Sequence, residues 1–389
     1  MNKSYHKAVE LLFVASSENG FLASVHDIAN YNRIWARDGV ICGLAGLLDG
    51  DEKFYKIFKN TLVTLANHQH SSGAIPSNVS FGNNVEVSYG GLAGRVDTVS
   101  WFIIGVCNYV HFTNDFDLFK QLKPNIEKGL FVLDAWEFNG NHLMYVPRSG
   151  NWVDEYITEG HIFYDQLLRL WALRAYNLLK LSEELSNKIK QITDKLITNY
   201  KKDDAQLKND YYHPRAYQEL DLYKYWMASI TPSGYQVMFD AFANSLALLL
   251  NLEDNFNNQV IQYSENLRKT LSLQLLPAFW HVIDEQDDNW NLLKHNNKYE
   301  FRNYPYEFHN GGTWQMVNGF YAASIVDKNN NAANEVLEYI QKLNAVKNHS
   351  FYECFNSKTG ETVGVPNCTW SAAGEIIASQ YLRGKKLLL

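Results

Sequence analysis

Apolar positions recur every three to four residues along most of this 389-residue chain, the spacing that lays one face of an α-helix on a core. On that spacing helices are expected over 4–16, 38–49, 51–68, 97–112, 115–136, 160–180, 183–202, 236–250, 255–272, 313–326, 330–345 and 368–384. Pro124 is expected to kink or split the fifth of these. No run alternates as a half-buried strand does. Short extended pieces near 141–147 and 297–304 are expected to make small hairpins within loops.

The helices alternate in character. The even-numbered ones, such as Val40 to Leu48 and Ala241 to Leu250, are apolar or small on nearly every side. The odd-numbered ones carry a charged face, as in Asp51-Glu52-Lys53 and Ser182-Glu183-Glu184. A helix apolar all round is buried, and one with a polar face looks outward. Six buried helices alternating with six outer ones describe an all-α protein, an (α/α)6 toroid forming one domain over residues 1–389. An α-solenoid would share the alternation, but no fixed repeat is visible and the loops differ widely in length.

The links leading into even-numbered helices hold the unusual residues. They are Trp35-Ala36-Arg37-Asp38, Gly94-Arg95-Val96-Asp97, Trp152-Val153-Asp154-Glu155, Thr231-Pro232-Ser233-Gly234-Tyr235, His309-Asn310-Gly311-Gly312-Thr313-Trp314 and Tyr352-Glu353. The other links, near Gly50, Asn114, Leu181 and Asn329, are short and plain. In a ring, all six rich links share one rim, which stability alone does not require. The stretch Arg148 to Tyr156 stands out among them. Its Ser-Gly-Asn turn places side chains on a loop. Trp152 offers a flat face for a sugar ring, and packed on Asp154 it would favour the neutral, proton-donating acid. The plain alternative is a helix N-cap whose acids suit the helix dipole.

Composition narrows the partners. Aromatic residues make up 14% of the chain, with 10 Trp and 24 Tyr, and several fall in loops: Trp35, Trp152, Trp280, Trp290, Tyr304 and Tyr306. Loop aromatics suit a small carbohydrate substrate. A net charge of −7 argues against nucleic acid or an anionic membrane as partner. Cys42, Cys107, Cys354 and Cys368 show neither metal-ligand spacing nor a disulfide framework, which points to a reducing cytoplasm. Neither a signal peptide nor a spanning apolar segment is read in the chain. His68, His70 and His309 lack an acid or Cys at matching spacing, so no metal is expected. Gly73 to Asn78 lacks the Lys of a phosphate loop, and no cofactor is expected. A homo-oligomer is compatible with this composition and not specified by it.

Glycoside hydrolysis needs two carboxyls flanking the glycosidic oxygen. The rim offers Asp38, Asp97, Asp154, Glu155, Glu307 and Glu353. Glu353 lies among aromatics in Phe351-Tyr352-Glu353-Cys354-Phe355, as a general base held by partners or as a Glu half-covered by packing. Arg37-Asp38 reads as a buried ion pair or as a clamp on adjacent sugar hydroxyls. Asp97 reads as a hydroxyl acceptor or as a cap.

With these motifs laid out, the chain resembles the (α/α)6 glycoside hydrolases, most of all alkaline/neutral invertases and the amylo-α-1,6-glucosidase domain of glycogen debranching enzymes. Arg37-Asp38 resembles the Arg-Asp that holds the non-reducing glucose there. Gly94-Arg95-Val96-Asp97 through Trp101 resembles the invertase Gly-Arg-Val-x-x-Val-Asp, and Trp152-Val153-Asp154 resembles Thr-Trp-Met-Asp and Met-Val-Asp. Tyr304 to Trp314 resembles Tyr-Pro-Tyr-x-Tyr-His-Asn-Gly-Gly-Ser-Trp. Tyr352-Glu353 through Gly360 resembles Glu-Tyr-Tyr-Asp-Gly-Lys-x-Gly, and Thr369-Trp370-Ser371-Ala372-Ala373-Gly374 resembles Thr-Trp-Ser-x-Ala-Gly. Glu155-Tyr156 stand where invertases carry two Arg.

The resemblance implies Asp154 as general acid and Glu353 as general base. It implies Trp35, Arg37, Asp38, Asp97, Trp152, Gln166, His309, Asn310, Trp314 and Trp370 as substrate-binding residues. The activity implied is inverting, exo-acting cleavage of an α-glucosidic bond in sucrose or a short α-gluco-oligosaccharide. Glucoamylase-like or amylo-α-1,6-glucosidase action on α-glucans is the alternative. A sugar 2-epimerase, which needs paired His, and a non-catalytic sugar-binding relative stand behind these.

Overall fold

The computed structural model describes residues 3–202 and 211–389. Among these, twelve principal helices form a double ring. In chain order they are α1 (Lys3–Val14), α2 (Ala36–Asp49), α3 (Glu52–Asn67), α4 (Asp97–Thr113), α5 (Phe116–Ala135) and α6 (Phe163–Lys180). They continue as α7 (Glu183–Asn199), α8 (Ala241–Leu249), α9 (Asp254–Thr270), α10 (Gln315–Ile325), α11 (Asn330–Asn344) and α12 (Thr369–Tyr381). Helix α2 packs on α4, α4 on α6, α6 on α8, α8 on α10, α10 on α12, and α12 back on α2. That closed circuit is the inner ring of an (α/α)6 toroid. The odd-numbered helices pack outside it.

The division follows the sequence. Helix α12 is buried along its whole length, whereas α11 buries one stripe through Ala332, Ala333, Val336 and Ile340. Inner helices approach closely where they carry glycine. A Cβ on Gly319 of α10 would lie 2.3 Å from the carbonyl oxygen of Gly374 on α12. Helix α5 is not split by Pro124, which stands on its exposed face, where water can serve the carbonyl left unpaired.

The strands depart from expectation. Residues 236–250 do not form one helix. Gly234–Asp240 is a strand paired antiparallel with Met227–Thr231. His161–Ile162 and Phe279–Trp280 complete a four-stranded sheet with this hairpin. Tyr235-Gln236-Val237-Met238-Phe239 is rich in strand formers and follows a Pro-Ser-Gly turn, so β-pairing wins there. Helix α8 begins only where the Asp240 carboxylate accepts the N–H groups of Phe242 and Ala243, at 2.9 and 3.0 Å. A second small sheet joins Ile34–Trp35, Asn78–Phe81 and Val85–Ser88.

The hairpins expected at 141–147 and 297–304 do not form. Val146 makes a single bridge, to Gly160, and 297–304 holds no strand. Side chains of that second segment are committed to Glu155 instead. No helix among the described residues is long and apolar enough to cross a membrane.

Candidate active site

A cavity of about 640 Å3 opens on the rim that carries the N-termini of α2, α10 and α12. Arg37 and Asp38 enter it from the first turn of α2, and Trp35 from the short strand before that helix. Trp152 and Asp154 come from the loop before α6, His309 and Trp314 from the loop before α10, and Glu353 and Trp370 from either side of the last inner link. Rich loops expected on one rim therefore do converge. Two links line no part of this cavity: Gly94-Arg95-Val96-Asp97, whose Arg95 and Asp97 pair with the lining residues Asp154 and Arg37, and Thr231-Pro232-Ser233-Gly234-Tyr235, which forms the turn of the β-hairpin.

The aromatic residues form a fixed wall. The His309 ring stacks on Trp314 with centroids 5.2 Å apart, and Trp152 meets His309 edge-on at 5.1 Å. Trp370 packs edge-on against Trp314 at 5.5 Å. Trp314 Nε1 donates to the Phe308 carbonyl oxygen at 2.9 Å, whereas the buried Trp152 Nε1, Trp370 Nε1 and His309 Nδ1 find no partner among the described residues. Burial pushes His309 down to about 3, so the ring is neutral.

The two candidate catalytic carboxyls sit in different surroundings. Asp154 is on a loop and does not cap α6, whose N-cap is Ile162. Its side chain is 38% exposed, and its Oδ2 accepts from Arg95 Nη2 at 2.6 Å. Arg95 is itself fixed by the carbonyls of Gly90, Gly94 and Ser149. Glu353 is only 4% exposed. The Tyr31 hydroxyl donates to its Oε1, and the Val365 N–H donates to Oε2 at 3.1 Å. Burial pushes this carboxyl up to about 7, opposed by those two donors and by the Arg302 charge. Gly364 leaves room for it, since a Cβ there would fall 2.2 Å from Glu353 Oε2.

Of the other predicted residues, Arg37 and Asp38 line the cavity, and Asp97, Gln166 and Asn310 do not. Arg37 pairs with Asp97 across 3.0 Å and not with its neighbour Asp38. Asp97 also accepts from the Tyr164 hydroxyl at 3.3 Å and supports Arg37 from below the cavity. Asp38, free of that pair, is pushed up to about 6 by burial, with Arg37 opposing. Gln166 is fully buried and spends both ends of its amide on the Met144 backbone. Asn310 does the same for the Ile283 backbone. Neither faces the cavity, so their places in the motifs serve backbone positioning. Glu307 accepts from Asn356 at 3.2 Å and lies off the cavity. Glu155 is gripped by Arg302, with Nε 3.1 Å from Oε1, and burial raises its pKa against that pairing.

Residues 221–384 match the family described as alkaline and neutral invertase. Comparison with curated proteins gives no match. Among solved structures, a mannosylglycerate hydrolase from Thermus thermophilus superposes with a TM-score of 0.70 at 13% identity, covering 96% of this chain and 99% of that one. A bacterial glucoamylase complexed with acarbose gives 0.64 at 14% identity, covering 99% of this chain and 56% of that one. A rhamnosidase from Klebsiella oxytoca gives 0.63 at 13% identity, covering 97% and 63%.

The chain shares the (α/α)6 toroid with these structures, and residues 221–384 carry the sequence pattern of the invertase family. The site is more aromatic than the motifs alone foretell. Tyr31, Tyr299, Phe301 and Arg302 all line the cavity and escaped the sequence reading. A signal existed for the last three, in the aromatic and charged run Tyr299-Glu300-Phe301-Arg302 just before Tyr304-Pro305. Tyr31 is four residues ahead of Trp35, and its ring lies 6.3 Å from that indole. No group of three His, Cys, Asp or Glu among the described residues could hold a metal ion.

Proposed function

We propose that the protein is an exo-acting glycoside hydrolase that cleaves an α-glucosidic bond with inversion, in sucrose or a short α-gluco-oligosaccharide. Asp154 protonates the departing oxygen, and Glu353 takes a proton from the water that attacks the anomeric carbon. The observation carrying this reading is that these two carboxyls line one cavity walled by Trp152, Trp314 and Trp370. Its size suits a small saccharide. Asp38 accepts from a hydroxyl, and Arg37, braced by Asp97, donates to one.

A base with a pKa near the working pH is more effective than an ordinary carboxylate, and Glu353 at about 7 meets that condition. As the acid, Asp154 delivers a proton to the departing oxygen, and the contact with Arg95 Nη2 fixes the position of its carboxyl. The opposite assignment, Glu353 as acid and Asp154 as base, draws on the same two facts: burial of Glu353 and the Arg95 contact.

One pair of variants separates the two. Fluoride leaves without protonation, so α-glucosyl fluoride needs the base and not the acid. Asp154→Asn is expected to lose at least about a hundredfold on an oligosaccharide while retaining most turnover of the fluoride. Glu353→Gln is expected to lose at least about a hundredfold on both. The reverse pattern exchanges the roles, and wild-type rates in both variants reject the site.

A further inference from the structure

Beside the first cavity lies a second, of about 740 Å3, that shares Tyr299 and Phe301 with it. We propose that this second cavity is an outer subsite for neutral pyranose units on the leaving-group side of an oligosaccharide. The proposal rests on the hydrolase reading above and adds the direction and length of the substrate.

Three observations carry it. The first is position. The segment that walls the second cavity is tied to the loop bearing Asp154: Asn296 Nδ2 donates to Ser149 Oγ at 3.3 Å and to the Tyr156 carbonyl at 3.2 Å. Arg302 and Asn303 hold Glu155 in the same way. A general acid stands beside the departing oxygen, so whatever departs lies on this side.

The second observation is the surface. Phe301 meets Trp290 edge-on at 5.8 Å and Tyr304 at 5.0 Å, which makes a fixed aromatic floor. Tyr299 is 89% exposed and Tyr304 53% exposed. Large aromatic faces left open side by side mark a contact surface, and an amphipathic ring suits the apolar face of a pyranose. The third is charge. Asp284, Glu285, Lys294 and Lys298 all line the cavity, and Lys298 lies over the Tyr299 ring at 4.8 Å. Mixed signs supply donors and acceptors for hydroxyls without the one-signed field that would gather an ion.

The test compares α-glucosyl fluoride, which fills only the first cavity, with the disaccharide and trisaccharide of the maltose and isomaltose series. In the slow Asp154→Asn background, which spares the saccharides, at least one trisaccharide is expected to bind about tenfold tighter than its disaccharide, by calorimetry. Tyr304→Ala, at an exposed position, and Trp290→Ala are each expected to abolish that gain while leaving kcat/KM for the fluoride unchanged. Fluoride turnover with no gain from either series overturns the outer subsite and leaves the hydrolase reading standing. A gain that persists in both variants also overturns it. No fluoride turnover overturns the hydrolase reading, and calorimetry with the trisaccharides then decides the subsite separately.

Discussion

Glu353 shows how a single residue's chemistry depends on partners far away in the chain. Its Tyr31 donor is 322 positions distant, and Arg302 reaches Glu155 over 147. No local pattern reports such pairs, which is why the roles of Tyr31 and Arg302 at these carboxyls were not legible in the sequence. Asp38, Trp152, Trp314, Glu353 and Trp370 were legible because each is a polar or aromatic residue placed where a loop enters a buried helix. Gln166 and Asn310 sit in equally distinctive stretches, yet their amides satisfy backbone groups. A motif does not reveal which way an amide faces. Tyr31 also yields a test. Glu353 must be ionised to act as base, so turnover of α-glucosyl fluoride is expected to rise with pH through about 7. Tyr31→Phe removes a hydrogen bond that favours the carboxylate. The acidic limb is then expected to move upward by about 1–2 pH units, the equivalent of a charged hydrogen bond of about 1.5–3 kcal/mol. An unchanged limb would mean that the hydroxyl does not act on Glu353.

At the scale of elements, the helices were legible because apolar stripes on α11 and all-round burial on α12 follow directly from residue order. The hairpin before α8 was hidden, since apolar residues crowd both sides of Asp240 and blur the end of the strand into the helix. Asp240 marks the true boundary by capping α8 from a buried position. Burial pushes that carboxyl from an ordinary 3.8 up to about 7, against the two backbone N–H groups it accepts. Between those values the unfolded chain releases a proton that the folded chain keeps. Stability from this group therefore falls as pH rises through the window and is flat on either side. Asn at 240 keeps a cap and cannot titrate. Relative to Asp240→Asn, the wild type is expected to lose on the order of 1.4 kcal/mol per pH unit across the window. Urea midpoints of both proteins at pH 4.5 and 8 measure this, and parallel profiles would refute it.

At the scale of the molecule, ring closure is what brings residues from both ends of the chain to one cavity. Helix α12 packs on α2, and Thr369 donates its N–H to the Ala23 carbonyl at 2.9 Å, so Tyr31 and Glu353 meet. The alternation of buried and half-exposed helices was enough to expect this closure. It was not enough to foresee that residues 299–302 would wall the cavity while the hairpin turn at 231–235 would not. The ring holds two carboxyls on one rim with room between aromatic walls, and inversion requires a water between Glu353 and the anomeric carbon. Proton NMR of the first sugar released from an α-glucoside tests this most directly. β-Glucose is expected to appear first and then mutarotate, and α-glucose appearing first would contradict a single displacement by water.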